Sequence, residues 1–157
     1  MIALEENLKE YTDLSYRVAL SGCRHQQDAE DVTQNVMLKL FSGRHEFADE
    51  DHLRRWIVRV TVNECKDLWR SPWRQNTVSI EEMTEEPAFS QLEYESLYEA
   101  LHKLDEKYRI VVHLYYYEGY SVREIAHLLH RRETTVQTQL MRARNQLKKQ
   151  LKEEDWQ

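Results

Sequence analysis

Glycine and proline are scarce in this 157-residue chain, which contains three glycines and two prolines. Hairpins and sheets need many such turn residues, so the scarcity excludes a β-rich protein and predicts an all-α fold. The two cysteines, Cys23 and Cys65, lack the close-spaced partners of a zinc site, and we expect reduced, buried thiols. No apolar run is long enough to span a bilayer and no secretion signal is recognisable, which indicates a cytoplasmic protein.

Basic residues are missing from residues 76–100, which carry seven acids and no Lys or Arg. The flanking segments have net charges of −2 for residues 1–75 and +3 for residues 101–157, and the whole chain has −6. This distribution predicts two small helical domains, residues 1–74 and 93–157, joined by a flexible acidic linker at residues 75–92. The overall acidity argues against indiscriminate binding to nucleic acid.

A helix-turn-helix is predicted over Tyr120–Arg144. Ser121 and Glu124 have the spacing of a capping box, which starts the first helix. The second helix directs its apolar stripe inward and leaves polar and cationic residues outside: Thr134, Gln137, Thr138, Met141, Arg142, Asn145 and Lys149. Amide and guanidinium groups on such a helix pair with base edges in the major groove. A plain helical hairpin with a solvated basic face would show the same pattern.

A second basic surface is predicted on the helix Leu53–Arg70. Four cations align along one edge of this helix, and apolar residues cover most of the rest: the cations are Arg55, Arg59, Lys66 and Arg70. Aligned cations repel one another unless a polyanion neutralises them. Trp56, Trp69 and Trp73 lie nearby, and aromatic rings beside cations can hold unstacked bases. Core packing is at least as good an interpretation of Trp69, and it also fits Trp56.

A third helix is predicted over Asp28–Phe41. A helical projection places Ala29, Val36, Met37, Leu40 and Phe41 on one arc and Asp28, Asp31, Asn35 and Lys39 on the other. Acids at a helix start interact favourably with its dipole, which is one interpretation of Asp28, Glu30 and Asp31. The other is an acidic and amide face for docking a basic protein partner.

Together these segments form a recognisable pattern: DAEDVTQNVMLKLF, WIVRVTVNECKDLWR, LDEKYR, EGYSVREIA and TVQTQLMRAR, in that order. The chain resembles a bacterial RNA polymerase sigma factor of the extracytoplasmic-function group, the short members of the sigma-70 family that keep conserved regions 2 and 4. The resemblance covers nearly the whole chain. It implies region 2 at residues 1–74 and region 4 at residues 93–157. It also implies a protein that catalyses nothing by itself, needs no cofactor or metal, and binds core RNA polymerase, promoter DNA and an anti-sigma factor.

The resemblance further implies which residues act. We expect four residues of the region 2 helix to dock on the β′ clamp helices: Asp28, Asp31, Gln34 and Asn35. The β subunit is a further expected partner. Engagement and opening of the −10 element is expected of Arg55, Trp56, Arg59, Asn63, Lys66, Asp67 and Arg70, with a flipped base captured near residues 71–75. Recognition of the −35 element is expected of Arg131, Arg132, Gln137, Thr138, Met141 and Arg142.

The turn of the helix-turn-helix departs from the family pattern. His130, Arg131 and Arg132 stand where the family usually has Gly, a small or aliphatic residue and a Ser cap, so we expect poorer capping of the second helix. Gln137 and Gln139 replace basic residues, which favours adenine contacts over guanine contacts.

Two other classes of function remain open from the residues alone. A free-standing helix-turn-helix regulator with a helical dimerisation or sensor domain would carry the same basic helices and would bind DNA without polymerase. A hydrolase or metalloenzyme is the third class, and it is disfavoured because the seven histidines are scattered and no catalytic or HExxH pattern occurs.

Overall fold

The computed structural model describes residues 4–23, 25–70 and 102–155. The chain divides into two compact units, Met1–Glu85 and Glu86–Gln157, and all regular elements of the described residues are helices. The all-α prediction is therefore confirmed for this part of the chain. The predicted linker at residues 75–92 and the predicted base-capture loop at residues 71–75 lie outside it. In the described ranges, no helix combines the length and the apolar character needed to cross a membrane.

The first unit contains three helices: α1 at Leu8–Gly22, α2 at Gln26–Ser42 and α3 at Glu50–Trp69. Each of them packs against the other two. Their shared core consists of side chains with at most 2% exposure, among them Tyr11, Leu14, Val18, Val36, Leu40, Leu53, Ile57 and Val62. Burial of these apolar faces is the main source of stability in such a small bundle.

Polar contacts fix the position of α3 on α1. The buried Thr61 hydroxyl donates to the Ile57 carbonyl at 2.7 Å, so Ser15 supplies the hydrogen for the 2.8 Å bond between the Ser15 and Thr61 hydroxyls. At the far end of the interface, Trp69 Nε1 donates to the Gly22 carbonyl at 2.6 Å. These bonds satisfy buried polar groups and specify one register between the two helices.

The second unit begins, in the described residues, with α4 at Glu106–Val112, which continues into a short π-helix at His113–Tyr117. Helix α5 follows at Val122–Leu129 and α6 at Glu133–Asp155. Helices α4 and α5 both pack against α6. The core includes Ile110, Val111, Leu114, Ile125, Val136, Leu140 and Ala143, all with at most 2% exposure.

The π-helix ends in a tight turn that a buried polar pair holds in place. His113 Nε2 lies 2.7 Å from Glu118 Oε2, and both side chains are less than 10% exposed. Gly119 follows with a φ of +76°, a left-handed conformation that glycine adopts without the cost of a Cβ. The chain therefore turns sharply at this point and enters α5.

Candidate nucleic-acid interface

Helix α3 turns a cationic edge to solvent, formed by Arg55, Arg59, Lys66 and Arg70. The three arginines are exposed and Lys66 is half-buried. The opposite side of α3 is core, with Leu53, Ile57, Val58, Val62 and Cys65 at 0% exposure. Because these buried side chains fix the rotation of the helix, the edge faces outward as the sequence predicted.

The polar neighbours of the cationic edge moderate its charge. Asn63 and Asp67 are both exposed on α3, so Asp67 places one carboxylate next to the cations. Glu64 is half-buried and forms an ion pair with Lys39 of α2. Glu64 is thereby committed to a contact within the protein.

An aromatic cluster lies at the start of α3, made up of His45, Phe47, His52 and Trp56. The Trp56 ring is 4.6 Å from the His45 ring and 5.9 Å from the Phe47 ring, measured between centroids. Phe47 also meets the edge of His52 at 5.4 Å. Trp56 is half-buried by these contacts and adjoins Arg55 in sequence. Sequence reasoning singled out Trp56 alone; the signal for the other three is the density of rings between residues 45 and 56.

Backbone contacts hold the cluster in position. Asp49 caps α3 by accepting a hydrogen bond from the His52 backbone at 2.8 Å, and His52 Nδ1 accepts from the Ala48 backbone at 3.1 Å. His45 Nε2 lies 3.0 Å from the Lys39 carbonyl. A Cβ atom on Gly43 would collide with the His45 ring. Gly43 therefore leaves the space that the imidazole occupies.

The outward face of α2 differs from the predicted acidic one. Asp28 is 9% exposed, so its predicted outward position is wrong, and Asp31 is half-buried with an oxygen 3.3 Å from the Gln27 amide nitrogen. Phe41, predicted to lie inside, is 45% exposed, and Leu38 is 66% exposed. Gln34 and Asn35 are exposed as predicted. The exposed residues of α2 thus include amide and apolar groups together with two charged ones, Glu30 and Lys39.

The helix-turn-helix consists of α5, a turn at residues 130–132 and α6. The predicted capping box is confirmed: the Glu124 backbone donates to Ser121 Oγ at 3.1 Å, and the Ser121 backbone donates to Glu124 Oε1 at 3.2 Å. His130 ends α5 in the left-handed conformation, with a φ of 54°. A residue with a Cβ is strained there, and the sequence departure at this position therefore carries a cost.

Arg131 points into the protein. Its Nη1 donates to Gln139 Oε1 at 3.0 Å and to the Lys107 carbonyl at 3.4 Å. Burial lowers the pKa of the Arg131 guanidinium from its ordinary value, although an arginine stays cationic at neutral pH. The same contact occupies Gln139, one of the two glutamines that the sequence offered for adenine recognition. Arg132, next in the chain, is exposed.

The outward face of α6 carries most of the residues predicted to read DNA. Gln137 and Arg142 are exposed and Met141 is 53% exposed. Thr138 is half-buried, and its hydroxyl donates to the Thr134 carbonyl at 2.9 Å. Of the residues predicted to read the −35 element, the exposed ones on α6 therefore offer one amide, one thioether and one guanidinium within two turns of helix.

Arg144, which sequence reasoning did not single out, holds α6 to the π-helix. Its Nε donates to the Tyr116 hydroxyl at 2.6 Å, and its guanidinium lies 5.7 Å from the rings of both Tyr115 and Tyr116. Cation–π contacts of this kind are worth about 0.5–1 kcal/mol at exposed sites. The basic residues of α6 thus divide into those that pack and those that face outward.

Two protein-family models match this chain. Sigma-70 region 2 matches residues 8–75, which include α1, α2 and α3, and sigma-70 region 4 matches residues 94–147, which include α4, α5 and most of α6. The chain belongs to the sigma-70 family. Its first unit carries region 2, with the cationic edge and the aromatic cluster, and its second unit carries region 4, with the helix-turn-helix.

Several relatives place the chain in the extracytoplasmic-function (ECF) group of this family. RNA polymerase sigma factor SigV of Bacillus subtilis is 27% identical over 142 residues, which are 89% of this chain and 86% of SigV. ECF RNA polymerase sigma factor SigM of B. subtilis is 25% identical over 94% of both chains. ECF RNA polymerase sigma factor SigE of Mycolicibacterium smegmatis is 29% identical over 94% of this chain and 61% of SigE, so this chain spans less than two thirds of that relative.

Solved structures share the fold. The sigma factor RpoE of Bartonella quintana, in complex with the anti-sigma factor NepR, matches with a TM-score of 0.71 at 21% identity and covers 95% of this chain and 96% of RpoE. CnrH, in complex with the cytosolic domain of CnrY, matches with a TM-score of 0.61 at 24% identity and covers 95% of this chain and 87% of CnrH. At these identities the likeness concerns the fold alone.

Membership of this family makes the chain a promoter-recognising sigma factor, a regulatory subunit of RNA polymerase, in preference to a free-standing regulator. Among the described residues, no group of three or more His, Cys, Asp or Glu side chains is placed to hold a metal ion.

Proposed function

We propose that this sigma factor docks on core RNA polymerase through α2, holds the −10 element on α3, reads the −35 element with α6, and catalyses no reaction by itself. The observation that carries the proposal is the cationic edge of α3 beside the aromatic cluster. Cations attract the DNA backbone, and rings stack on bases that have left the duplex. This combination suits a surface that binds one strand while the duplex opens.

The two parts of the −10 surface have different roles in this proposal. Arg55 and Arg59, which are exposed one helical turn apart, contact phosphates of the non-template strand, with Lys66 and Arg70 further along the same edge. Trp56 and its aromatic partners offer a face to an unstacked base, and such stacking is worth about 1–3 kcal/mol per base. Asn63 and Asp67, which carry hydrogen-bonding groups, face the same strand.

For the −35 element, the proposal rests on three of the exposed residues of α6, namely Gln137, Met141 and Arg142. Gln137 pairs with adenine and Arg142 with guanine, because their side chains match the major-groove edges of those bases. Met141 adds apolar contact with a thymine methyl group. Arg132 lies in the exposed turn and contacts phosphate, which positions the helix without reading sequence.

For the protein partners, the proposal uses the face of α2. Gln34, Asn35, Leu38 and Phe41 form the exposed surface that meets the β′ clamp helices, and the β subunit is a further contact of the holoenzyme. An anti-sigma factor is a third partner, supported by the complexes of RpoE with NepR and of CnrH with the cytosolic domain of CnrY. Asp28 lies in the first turn of α2, where its carboxylate stabilises the start of the helix, and Asp31 is half-buried beyond that turn.

The experiment compares core binding with duplex opening. We expect the double variant Arg55→Glu/Arg59→Glu to bind core polymerase within about twofold of the unchanged protein and to lose open-complex formation, because reversed charges repel the strand. Permanganate reactivity of promoter thymines measures opening, and fluorescence anisotropy measures core binding. Lys9→Glu, a charge reversal at an exposed residue of α1, is the control and should open promoters normally. A double variant that loses core binding instead would place these arginines at the polymerase interface.

A further inference from the structure

The two cysteines of the chain meet inside the first unit. Cys23 and Cys65 are 5% and 0% exposed, and their Sγ atoms lie 3.7 Å apart. They are 42 residues apart in sequence and belong to different parts of the bundle, the C-cap of α1 and the C-terminal part of α3. The sequence predicted buried thiols, but nothing in it predicted that they would touch.

The surrounding structure favours a covalent bond between them. A disulfide requires the sulfurs to approach to about 2 Å. Cys23 lies just beyond α1 with an extended backbone, φ −112° and ψ 151°, so it can shift without unwinding a helical turn. The 2.6 Å hydrogen bond from Trp69 to the Gly22 carbonyl holds this end of α1 against α3 and keeps the two thiols together.

We propose that Cys23 and Cys65 are a redox-modification site that hydrogen peroxide converts to an intramolecular disulfide. The Cys23 thiolate, on the more accessible sulfur, attacks one peroxide oxygen, breaks the O–O bond and becomes a sulfenic acid, and the released hydroxide takes up a proton to form water. The Cys65 sulfur then attacks the Cys23 sulfur, displaces a second water and leaves the S–S bond. Two thiols are oxidised and one peroxide is reduced to two waters.

Burial selects the oxidant. Hydrogen peroxide is small and uncharged, so it gains access to the 5%-exposed Cys23 more readily than the bulky, charged glutathione disulfide does, and Cys65, at 0% exposure, reacts only with Cys23. The bond would tie α1 covalently to α3, the helix that bears the cationic edge. Closing a loop of this length restricts the unfolded chain, so the oxidised protein should unfold at a temperature higher by about 5–15 °C.

The test counts thiols on the full-length protein. The reduced chain is treated with a stoichiometric amount of hydrogen peroxide, quenched, unfolded and alkylated with iodoacetamide, and intact mass is measured beside the melting temperature. We expect both thiols to disappear together in a monomer, with a mass lower by two hydrogen atoms, and dithiothreitol to restore both thiols and the original melting temperature. Glutathione disulfide under the same conditions should leave both thiols available for alkylation.

Two variants separate this pair from general oxidation. Cys65→Ser and Cys23→Ser each retain one thiol and should neither gain stability nor lose two hydrogens on oxidation. Two alkylated cysteines after peroxide treatment, loss of one thiol only, or a disulfide between two molecules would each overturn the proposal. The thiol count of the unchanged protein decides the matter even if a serine variant does not fold. Because the readout is chemical, its failure would leave the promoter-binding proposal untouched.

Discussion

At the scale of single residues, the adjacent arginines of the turn show how much the fold decides. Sequence reasoning assigned both Arg131 and Arg132 to DNA, because both are basic and precede the recognition helix. Arg131 instead hydrogen-bonds to Gln139 and to the Lys107 carbonyl, whereas Arg132 is exposed. Both side chains follow the left-handed His130, and the contacts that distinguish them are made with residues 24 and 8 positions away in sequence, Lys107 and Gln139.

Substitution of Arg131 should therefore affect stability, whereas substitution of Arg132 should affect promoter binding. Arg131→Ala removes the hydrogen bonds of a half-buried guanidinium and should lower the free energy of unfolding by about 1–2 kcal/mol. Arg132→Ala should change that free energy by less than about 0.5 kcal/mol. It should weaken promoter binding by the holoenzyme, and the binding constant should depend less on salt concentration because one phosphate contact is lost. Urea unfolding and binding at two salt concentrations measure the two effects. Equal losses of stability in both variants would contradict the structural assignment of Arg131.

His130 offers a gain of stability. Its left-handed conformation costs a residue with a Cβ about 1–2 kcal/mol, and glycine avoids this cost while adding about 0.5–1 kcal/mol of backbone entropy to the unfolded chain. We expect His130→Gly to raise the free energy of unfolding by about 0.5–1 kcal/mol. His127→Gly, at an exposed position within α5, is the matched control and should lower it by about 1 kcal/mol. A loss of stability in both variants would contradict the assignment of strain to His130.

At the scale of helices, periodicity predicted α3 and the helix-turn-helix well. Apolar residues cover so much of the circumference of α3 that only one edge of the helix can face solvent. The start of α5 is marked by the local hydrogen bonds between Ser121 and Glu124. Helix α2 was harder to orient, because Leu38 and Phe41 are apolar and yet exposed, while Asp28 is buried. A projection assumes that apolar side chains lie inside, and a helix that keeps some of them for a partner violates that assumption.

Other features depend on contacts that no single helix contains. The aromatic cluster brings the segment before α3 against Trp56, so its members could be recognised only as a local excess of rings. The His113–Glu118 pair at the end of the π-helix is buried, and α5 packs against this π-helix. Gln137, Met141 and Arg142 are exposed as predicted, whereas no pattern in the sequence indicates the Arg131–Gln139 hydrogen bond.

The exposed apolar pair on α2 leads to a prediction about the polymerase. Leu38→Ala/Phe41→Ala removes two side chains that are 66% and 45% exposed, so the free energy of unfolding should change by less than about 1 kcal/mol. Affinity for core polymerase should fall by roughly 10-fold or more, because buried interface side chains contribute about 1–2 kcal/mol each. Met141→Ala, an equally exposed apolar residue of α6, should leave core affinity unchanged. Fluorescence anisotropy with labelled protein measures the core affinities of the unchanged protein and the two variants, and urea unfolding measures their stability. Unaltered core binding by the double variant would show that the docking face lies elsewhere.

At the scale of the whole molecule, charge explains why a sigma factor needs its polymerase. The chain has a net charge of −6, and its cations are gathered on α3 and in the second unit. The total field therefore opposes the approach of a polyanion, while each cationic surface attracts it at short range. In the proposed function, both surfaces engage one DNA molecule while core polymerase holds the chain in place, and two weak contacts linked in this way bind more tightly than either does alone.

We therefore expect the free chain to bind a labelled promoter duplex at least roughly 100-fold more weakly than the reconstituted holoenzyme at physiological salt, since one acidic chain alone cannot collect enough phosphate contacts. Fluorescence anisotropy with the free chain, core polymerase and the holoenzyme measures this difference, and core polymerase alone controls for binding without sequence preference. Lower salt should strengthen binding by the free chain without creating a preference for the promoter over a scrambled duplex. A free chain that selects the promoter as well as the holoenzyme does would show that its two units recognise DNA without the enzyme, and the proposed dependence on polymerase would be wrong.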